Sequence, residues 1–210
     1  MKFHFTIGGS KLKQLHIIST GQQTTSEFIE KVTDIHSFVD FIHLRERSWT
    51  AREYITVIEQ LSKGGVPRNK IIVNDRIDVA VVTDVYGVQL ASHSIDVRDV
   101  KQLFPELYIG CSVHSVKEAV VKEKGGADFL MYGHVFETAS KPGLPPRGLH
   151  QLKEVVKSVN SPVIAIGGIT PDNVEQVACT NINGIATMSG ILLADDIKNA
   201  VQQYQKKLVK

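Results

Sequence analysis

Eight short apolar runs alternating with helical patterns predict an α/β chain folded as a single-domain (β/α)8 TIM barrel over residues 1–210. Three observations carry that prediction. The runs recur every 20 to 30 residues or so, roughly the repeat of a strand followed by a helix. Polar side chains collect directly after the runs, where a barrel places its active site. The seventh and eighth runs both end in glycine, at the corners where this fold recurrently binds phosphate. An open doubly wound sheet is the other right-handed solution for parallel strands, but no G-x-G-x-x-G follows the first run.

Residues 1–13 show no periodicity and are set apart, with residue 14, as an N-terminal extension. The first strand is read at 15–20 (LHIIST), and Phe28, Ile29, Val32, Ile35 and Phe38 then mark one side of a helix over 25–38. Residues 40–44 (DFIHL) form the second strand, ending in Arg45-Glu46-Arg47. Thr50 introduces a helix with Tyr54, Ile55, Ile58 and Leu61 on one side, closed by Gly64-Gly65. Strands at 70–73 and 86–90 flank a brief helix at 77–83.

A helix at 97–104 is stopped by Pro105 and followed by a strand at 107–111. Ser115 with Glu118 three residues on reads as a capping box, opening a helix that ends near Gly125-Gly126. Residues 128–132 (DFLMY) form the sixth strand. The stretch 133–149, GHVFETASKPGLPPRGL, is the longest irregular segment and holds three of the seven prolines; a loop of that length in a compact domain is expected to be an active-site lid. Helices at 152–159, 174–178 and 191–208 complete the chain around strands at 162–166 and 184–188.

With 210 residues, 42% of them hydrophobic, the chain can bury one substantial core. A formal charge of +2 without a dense block of Lys and Arg argues against nucleic acid as a partner. Two cysteines, Cys111 and Cys179, give no disulfide framework and fit a reducing cytoplasm. No apolar run reaches about 18 residues and no signal-peptide pattern opens the chain, so no membrane association is expected. A homodimer is the oligomer that a barrel with this many short helices would form.

The mouth of the predicted barrel gathers His43, Arg45 and Arg47; Asn74 and Asp75; Gln89, Ser92 and His93; Ser112 and His114; His134, Glu137, Thr138 and Lys141; and the glycine corners. Without a Cβ, glycine lets backbone N–H groups approach an anion, and a helix N-terminus beyond adds partial positive charge. Gly168, Ile169, Ser189 and Gly190 are therefore the expected phosphate cradle, although the same glycines would also serve simply to turn two corners. Cations opposite suit a second anionic group.

These corner sequences, LRER at 44–47, NDR at 74–76, GVQL at 87–90, GCSVHS at 110–115, GHVFETASK at 133–141, IAIGGITPDN at 164–173 and GIATMSGI at 184–191, together resemble the thiamin phosphate synthase superfamily. The resemblance runs in order over roughly residues 15–193. It departs from the synthases at two places. Ser94 stands where their GVHLGQ corner continues to an acidic residue used for Mg²⁺, and His134 replaces a proline in their GPxFPTxTK segment. Those departures resemble the thiazole tautomerase branch, which implies a cofactor-independent isomerase without a metal site.

By that resemblance the substrate is a phosphorylated thiazole carboxylate whose ring is aromatised by a proton shift. His134 is then the expected acid/base, since an imidazole near its unperturbed pKa of about 6.5 can accept and return a proton at neutral pH. Arg45, Arg47, Asn74, Ser112, Thr138 and Lys141 are the expected contacts to the thiazole and its carboxylate. His43 is the strongest competitor of His134, because it lies inside a strand. The alternatives are a synthase-like transferase and a non-catalytic thiazole phosphate-binding regulator.

Overall fold

The structure, a computed structural model, describes residues 6, 7, 10, 11 and 13–208. Eight parallel strands close a barrel: β1 Gln14–Ile18, β2 Phe41–Leu44, β3 Ile71–Asn74, β4 Gly87–Leu90, β5 Tyr108–Val113, β6 Phe129–Gly133, β7 Val163–Ile166 and β8 Gly184–Thr187. Closure is made by β8 on β1, in register from Gly184 opposite Gln14 to Thr187 opposite Ile17. The fold class read from the sequence is therefore the one observed. Of the segment set apart at the N-terminus, Thr6–Ile7 pairs antiparallel with Ser10–Lys11 in a separate ladder, residue 14 belongs to β1, and the remainder, apart from residue 13, lies outside the described residues.

The helices are α1 Thr25–Ile35, α2 Ala51–Lys63, α3 Ile77–Thr83, α4 Val97–Leu103, α5 Val116–Lys124, α6 Gly148–Ser158, α7 Val174–Ala178, α8 Ser189–Leu192 and α9 Ile197–Leu208. Two start on full capping boxes, Thr24 with Glu27 and Thr50 with Glu53, each satisfying N–H groups that a first turn leaves without acceptors. Ser115 caps α5 as expected, but the Glu118 carboxylate reaches back to the N–H of His114 instead. The single C-terminal helix expected over 191–208 is two helices.

Strand alternation sorts the core into two layers. Leu15, Ile17, Ile42, Leu44, Ile71, Val73, Val88 and Leu90 face outward and pack under Phe28, Val32, Tyr54, Ile58 and Leu61 of the helices; each such burial stabilises by about 1.5–3 kcal/mol. The inward residues Ile18, Ile72, Phe129, Met131, Ile164 and Ala186 fill the lumen. Its aromatic members pack in sequence: His16 on Phe41 and Phe41 on Tyr86, both at 4.9 Å between ring centroids, Tyr86 on Tyr108 at 4.5 Å, and Tyr108 stacked on Phe129 at 5.4 Å. That plug sits where the strands begin, Phe41, Tyr108 and Phe129 each being the first residue of its strand.

Candidate active site

A cavity of about 1020 Å³ opens over the C-terminal ends of the strands. Every site residue expected from the sequence lines it: His134; Gly168, Ile169, Ser189 and Gly190; Arg45, Arg47, Asn74, Ser112, Thr138 and Lys141. Parallel closure explains the gathering, because residues far apart in sequence reach one rim when each follows its own strand.

On the β2 side, the N–H of Arg45 donates to Ser19 Oγ at 2.8 Å. Tyr54 Oη holds the next residue, accepting from Glu46 N–H and donating to the Glu46 carbonyl, both at 2.8 Å. The Glu46 carboxylate turns away to Gly21 N–H at 3.1 Å. Arg45 and Arg47 therefore do not pair with it, and neither has an ion-pair partner among the described residues. Burial, and then the charge of Arg47, lower the pKa of the Arg45 guanidinium. Two unneutralised guanidinium groups on one rim form a place for an anion.

At the next corners, Asp75 adopts φ 61° and its Oδ2 lies 3.4 Å from His93 Nε2. Ser94 Oγ accepts the N–H of Ala91 at 2.7 Å and so serves its own turn. The magnesium ion that the family resemblance implies is normally held by one or two carboxylates with substrate phosphates. Here Asp75 is the one carboxylate at these corners, and no group of three His, Cys, Asp or Glu side chains among the described residues could hold a metal. The donor set does not build that site. Ser112 Oγ accepts from Gln89 Nε2 at 3.1 Å.

The loop 133–149 is pinned at both stems. Val135 and Phe136 donate to the carbonyls of Ile166 and Gly167, each at 3.0 Å, and Arg147 and Gly148 donate back to those of His134 and Val135, each at 3.0 Å. The Arg147 side chain adds bonds to the carbonyls of Gly133 and His114 at 3.1 and 2.9 Å, and His114 Nδ1 donates to Gly133 O at 2.7 Å. Helix α6 begins at Gly148, so the irregular stretch is shorter than expected. His134 is 4% exposed. Its Nε2 donates to the carbonyl of Leu144 at 3.1 Å, which leaves Nδ1 as an acceptor, and that atom is buried without a partner.

Across the mouth, the corners after β7 and β8 are built from backbone. Gly168 has φ 64°, and a Cβ there would lie 2.2 Å from the carbonyl oxygen of Glu137. At Gly190 a Cβ would meet Tyr204 Oη at 2.4 Å. Gly168 and Ile169 N–H groups have no backbone acceptor among the described residues, and those of Ser189 and Gly190 open a helix whose first N–H groups have none a turn back. The helix after this corner spans Val174–Ala178, the range expected from the sequence. Asn173 organises the intervening turn, accepting from Thr170 N–H at 2.8 Å and donating to Gly168 O at 2.9 Å.

Sequence reading missed Tyr204, which reaches the cavity from α9 and donates to the carbonyl of Ile169 at 2.9 Å. Its spacing with Val201 and Leu208 signals only a buried helix face. Arg76 also lines the cavity, although its guanidinium is engaged by Asp78 at 2.9 Å. Among the described residues no helix is long and apolar enough to cross a membrane.

The chain is similar to proteins of known name over much of its length. It is 42% identical over 134 residues to a thiamine-phosphate synthase of Pyrococcus furiosus, covering 64% of this chain and 65% of that one, slightly under two thirds of its length. It is 32% identical over 199 residues to thiamine-phosphate synthase 2 of Streptococcus pneumoniae, covering 93% and 95%. The solved structure of a thiamine phosphate pyrophosphorylase from Pyrococcus furiosus superposes with a TM-score of 0.80 at 32% identity, over 93% of this chain and 95% of that one. These names overturn the isomerase expected from His134 and Ser94: the close relatives are named as synthases, which are transferases. The two departures alter side chains at the rim and leave the backbone-built corners in place, so they weigh less than the similarity along the whole barrel. With residues 15–191 matching the family described as thiamine monophosphate synthase, the chain belongs to that family.

Proposed function

We propose that the chain is a thiamin-biosynthetic transferase of the synthase type, joining a phosphorylated thiazole to a pyrimidine pyrophosphate. The observation that carries this reading is the presence of two unlike anion sites in one cavity: backbone N–H groups at Gly168, Ile169, Ser189 and Gly190, and the unpaired cations Arg45 and Arg47. A single phosphorylated substrate needs the second site only where it carries another anion. Two phosphorylated substrates that must meet need both.

In this reading the thiazole phosphate occupies the glycine corners, while Arg45, Arg47 and Lys141 receive the pyrophosphate. The ring-nitrogen lone pair attacks the methylene carbon of the pyrimidine, the carbon–oxygen bond to pyrophosphate breaks, and the leaving group departs with the bonding pair. Guanidinium groups fixed before the reaction stabilise the charge that develops on the leaving oxygen. Asn74, Ser112 and Thr138 contact the rings, and residues 137–141 of the 133–149 loop cover them. His134 anchors Leu144 through Nε2; a displacement that moves no proton asks nothing more of it.

The test is pyrophosphate release from the two substrates together, with the coupled product followed by mass spectrometry. Release matched by product supports the transferase. Because Ser94 removes a metal carboxylate, the competing reading is a regulator that only binds. Calorimetric binding of thiazole phosphate with no pyrophosphate release would establish that regulator and end the transferase proposal.

A further inference from the structure

The turn that carries Arg45 and Arg47 also carries Trp49, the one tryptophan of the chain. Trp49 lines the cavity together with the two arginines. Its backbone N–H closes the turn on the carbonyl of Glu46 at 3.3 Å. Its ring meets that of Tyr54 edge-on, with centroids 5.2 Å apart and planes at 76°. Tyr54 thus braces the indole with its ring and the backbone at Glu46 with its hydroxyl.

This packing accounts for the ring but not for its polar edge. The indole N–H of Trp49 has no acceptor among the described residues, and it is not one of the side-chain atoms buried without a partner. It is therefore an accessible donor on a side chain that is itself half-buried. An indole N–H can only donate. The one acidic group of the turn, the Glu46 carboxylate, is engaged by Gly21 N–H, and the Glu46 carbonyl accepts from both Tyr54 Oη and Trp49 N–H. What the turn offers the cavity is three donors, two charged and one neutral. Such a face calls for a ligand rich in acceptor oxygens. An indole already held by its neighbour also has little freedom to lose on binding, whereas two long arginines have much.

We infer that Trp49 is a third binding residue of this wall, its indole N–H donating to an oxygen of the pyrophosphate held by Arg45 and Arg47. The identity of the anion rests on the transferase reading. The arginines supply charge, and Trp49 supplies a fixed direction for one oxygen.

The single tryptophan makes the test specific, because a ¹H–¹⁵N correlation spectrum of the full chain holds one indole N–H signal. Inorganic pyrophosphate is the probe. Titration should move that proton downfield, saturating at the Kd that calorimetry gives for the same ligand. Growth of a tryptophan auxotroph on benzothienylalanine replaces the N–H by sulfur at this position alone and keeps the shape of the ring. Pyrophosphate binding should then weaken roughly 10-fold, the size expected for a lost hydrogen bond to a charged group. Trp49→Phe, which leaves an aromatic ring on Tyr54, should weaken it similarly; if the sulfur analogue does not fold, this variant and the native spectrum decide.

Heat of pyrophosphate binding with an unmoved indole signal overturns the role of Trp49 and leaves the transferase reading standing, as does equal affinity without the N–H. No heat of binding at all removes the pyrophosphate site and the role of Trp49 together. A shifted indole and a weakened analogue in a chain that releases no pyrophosphate from the paired substrates would keep Trp49 as an anion donor while ending the transferase reading.

Discussion

The two sides of the cavity are made of different material. After β7 and β8 the wall is backbone, held by Asn173 and Tyr204 at Gly168 and Ile169; after β2 it is side chain, two guanidinium groups without ion-pair partners on a turn braced by Tyr54. A backbone wall tolerates only glycine where the 133–149 loop closes over it. A side-chain wall can be rewritten one residue at a time. The two walls thus differ in how freely a substitution can alter their chemistry.

The largest effect should come from breaking the backbone wall. Gly168→Ala forces a Cβ to within 2.2 Å of the Glu137 carbonyl oxygen at a positive φ of 64°. Left-handed strain and overpacking against main chain together cost about 2–4 kcal/mol. Gly143→Ala is the control: its φ is 74° but nothing lies within 4 Å, so only the conformational cost of about 1 kcal/mol remains. Denaturant unfolding of the two variants separates the terms, and equal losses would show that the loop does not need the close approach.

Breaking the side-chain wall should leave the fold intact and remove turnover. Arg45→Ala is expected to lower kcat/KM for pyrophosphate release about 100-fold, since a half-buried guanidinium makes a strong charge-assisted contact to a phosphate. The more exposed Arg47 should matter roughly tenfold less, because solvent screens it. If both variants retain native kinetics, the pyrophosphate is held elsewhere. Unchanged thermal unfolding in both would confirm that this wall is not a source of stability.

Much of the architecture was legible because strand, helix and corner each leave a separate mark. Apolar runs fixed the eight strands to within a residue or two, and the polar residues just beyond them named the cavity lining. Neither capping box at α1 or α2 was noticed, although Thr24 with Glu27 and Thr50 with Glu53 stood in plain view. Tyr204 was hidden for a physical reason: a residue that seals the outer core along its ring and reaches the site only with its hydroxyl has the periodicity of any core residue. The direction of chemistry was misread from His134 and Ser94, since a changed side chain shows that a role has altered without showing what replaced it.

The lumen adds a pH-dependent contrast to the two walls. Burial lowers the His43 pKa from 6.5 to about 3, and burial followed by the neighbouring His43 lowers that of His16 well below 6.5. The unfolded chain therefore binds more protons than the folded one below pH 6.5, so stability is complete above that value and is lost as pH falls toward about 3. Each histidine contributes a loss of about 1.4 kcal/mol per pH unit once below the unfolded value. Urea unfolding at pH 7.5 and 5.5 (both above most carboxylates, about 4) should show the decline, and His43→Asn should reduce it. A flat profile in the native chain would mean that the pair can charge inside the barrel.

The smallest effect tests how the backbone wall is tied to the rest of the molecule. Tyr204 Oη donates to the Ile169 carbonyl at 2.9 Å and occupies the space that Gly190 leaves open. Burial raises the pKa of this phenol, so it remains a donor at neutral pH. Tyr204→Phe keeps the ring packed and deletes only the hydroxyl, leaving one buried carbonyl without its partner at a cost of about 1 kcal/mol. The expected signature is a small loss of stability with a larger rise in KM for the thiazole phosphate than change in kcat, because Ile169 is one of the N–H groups proposed to hold it. Equal changes in kcat and KM would place the hydroxyl in the reaction itself, and no change in either would detach α9 from the phosphate site.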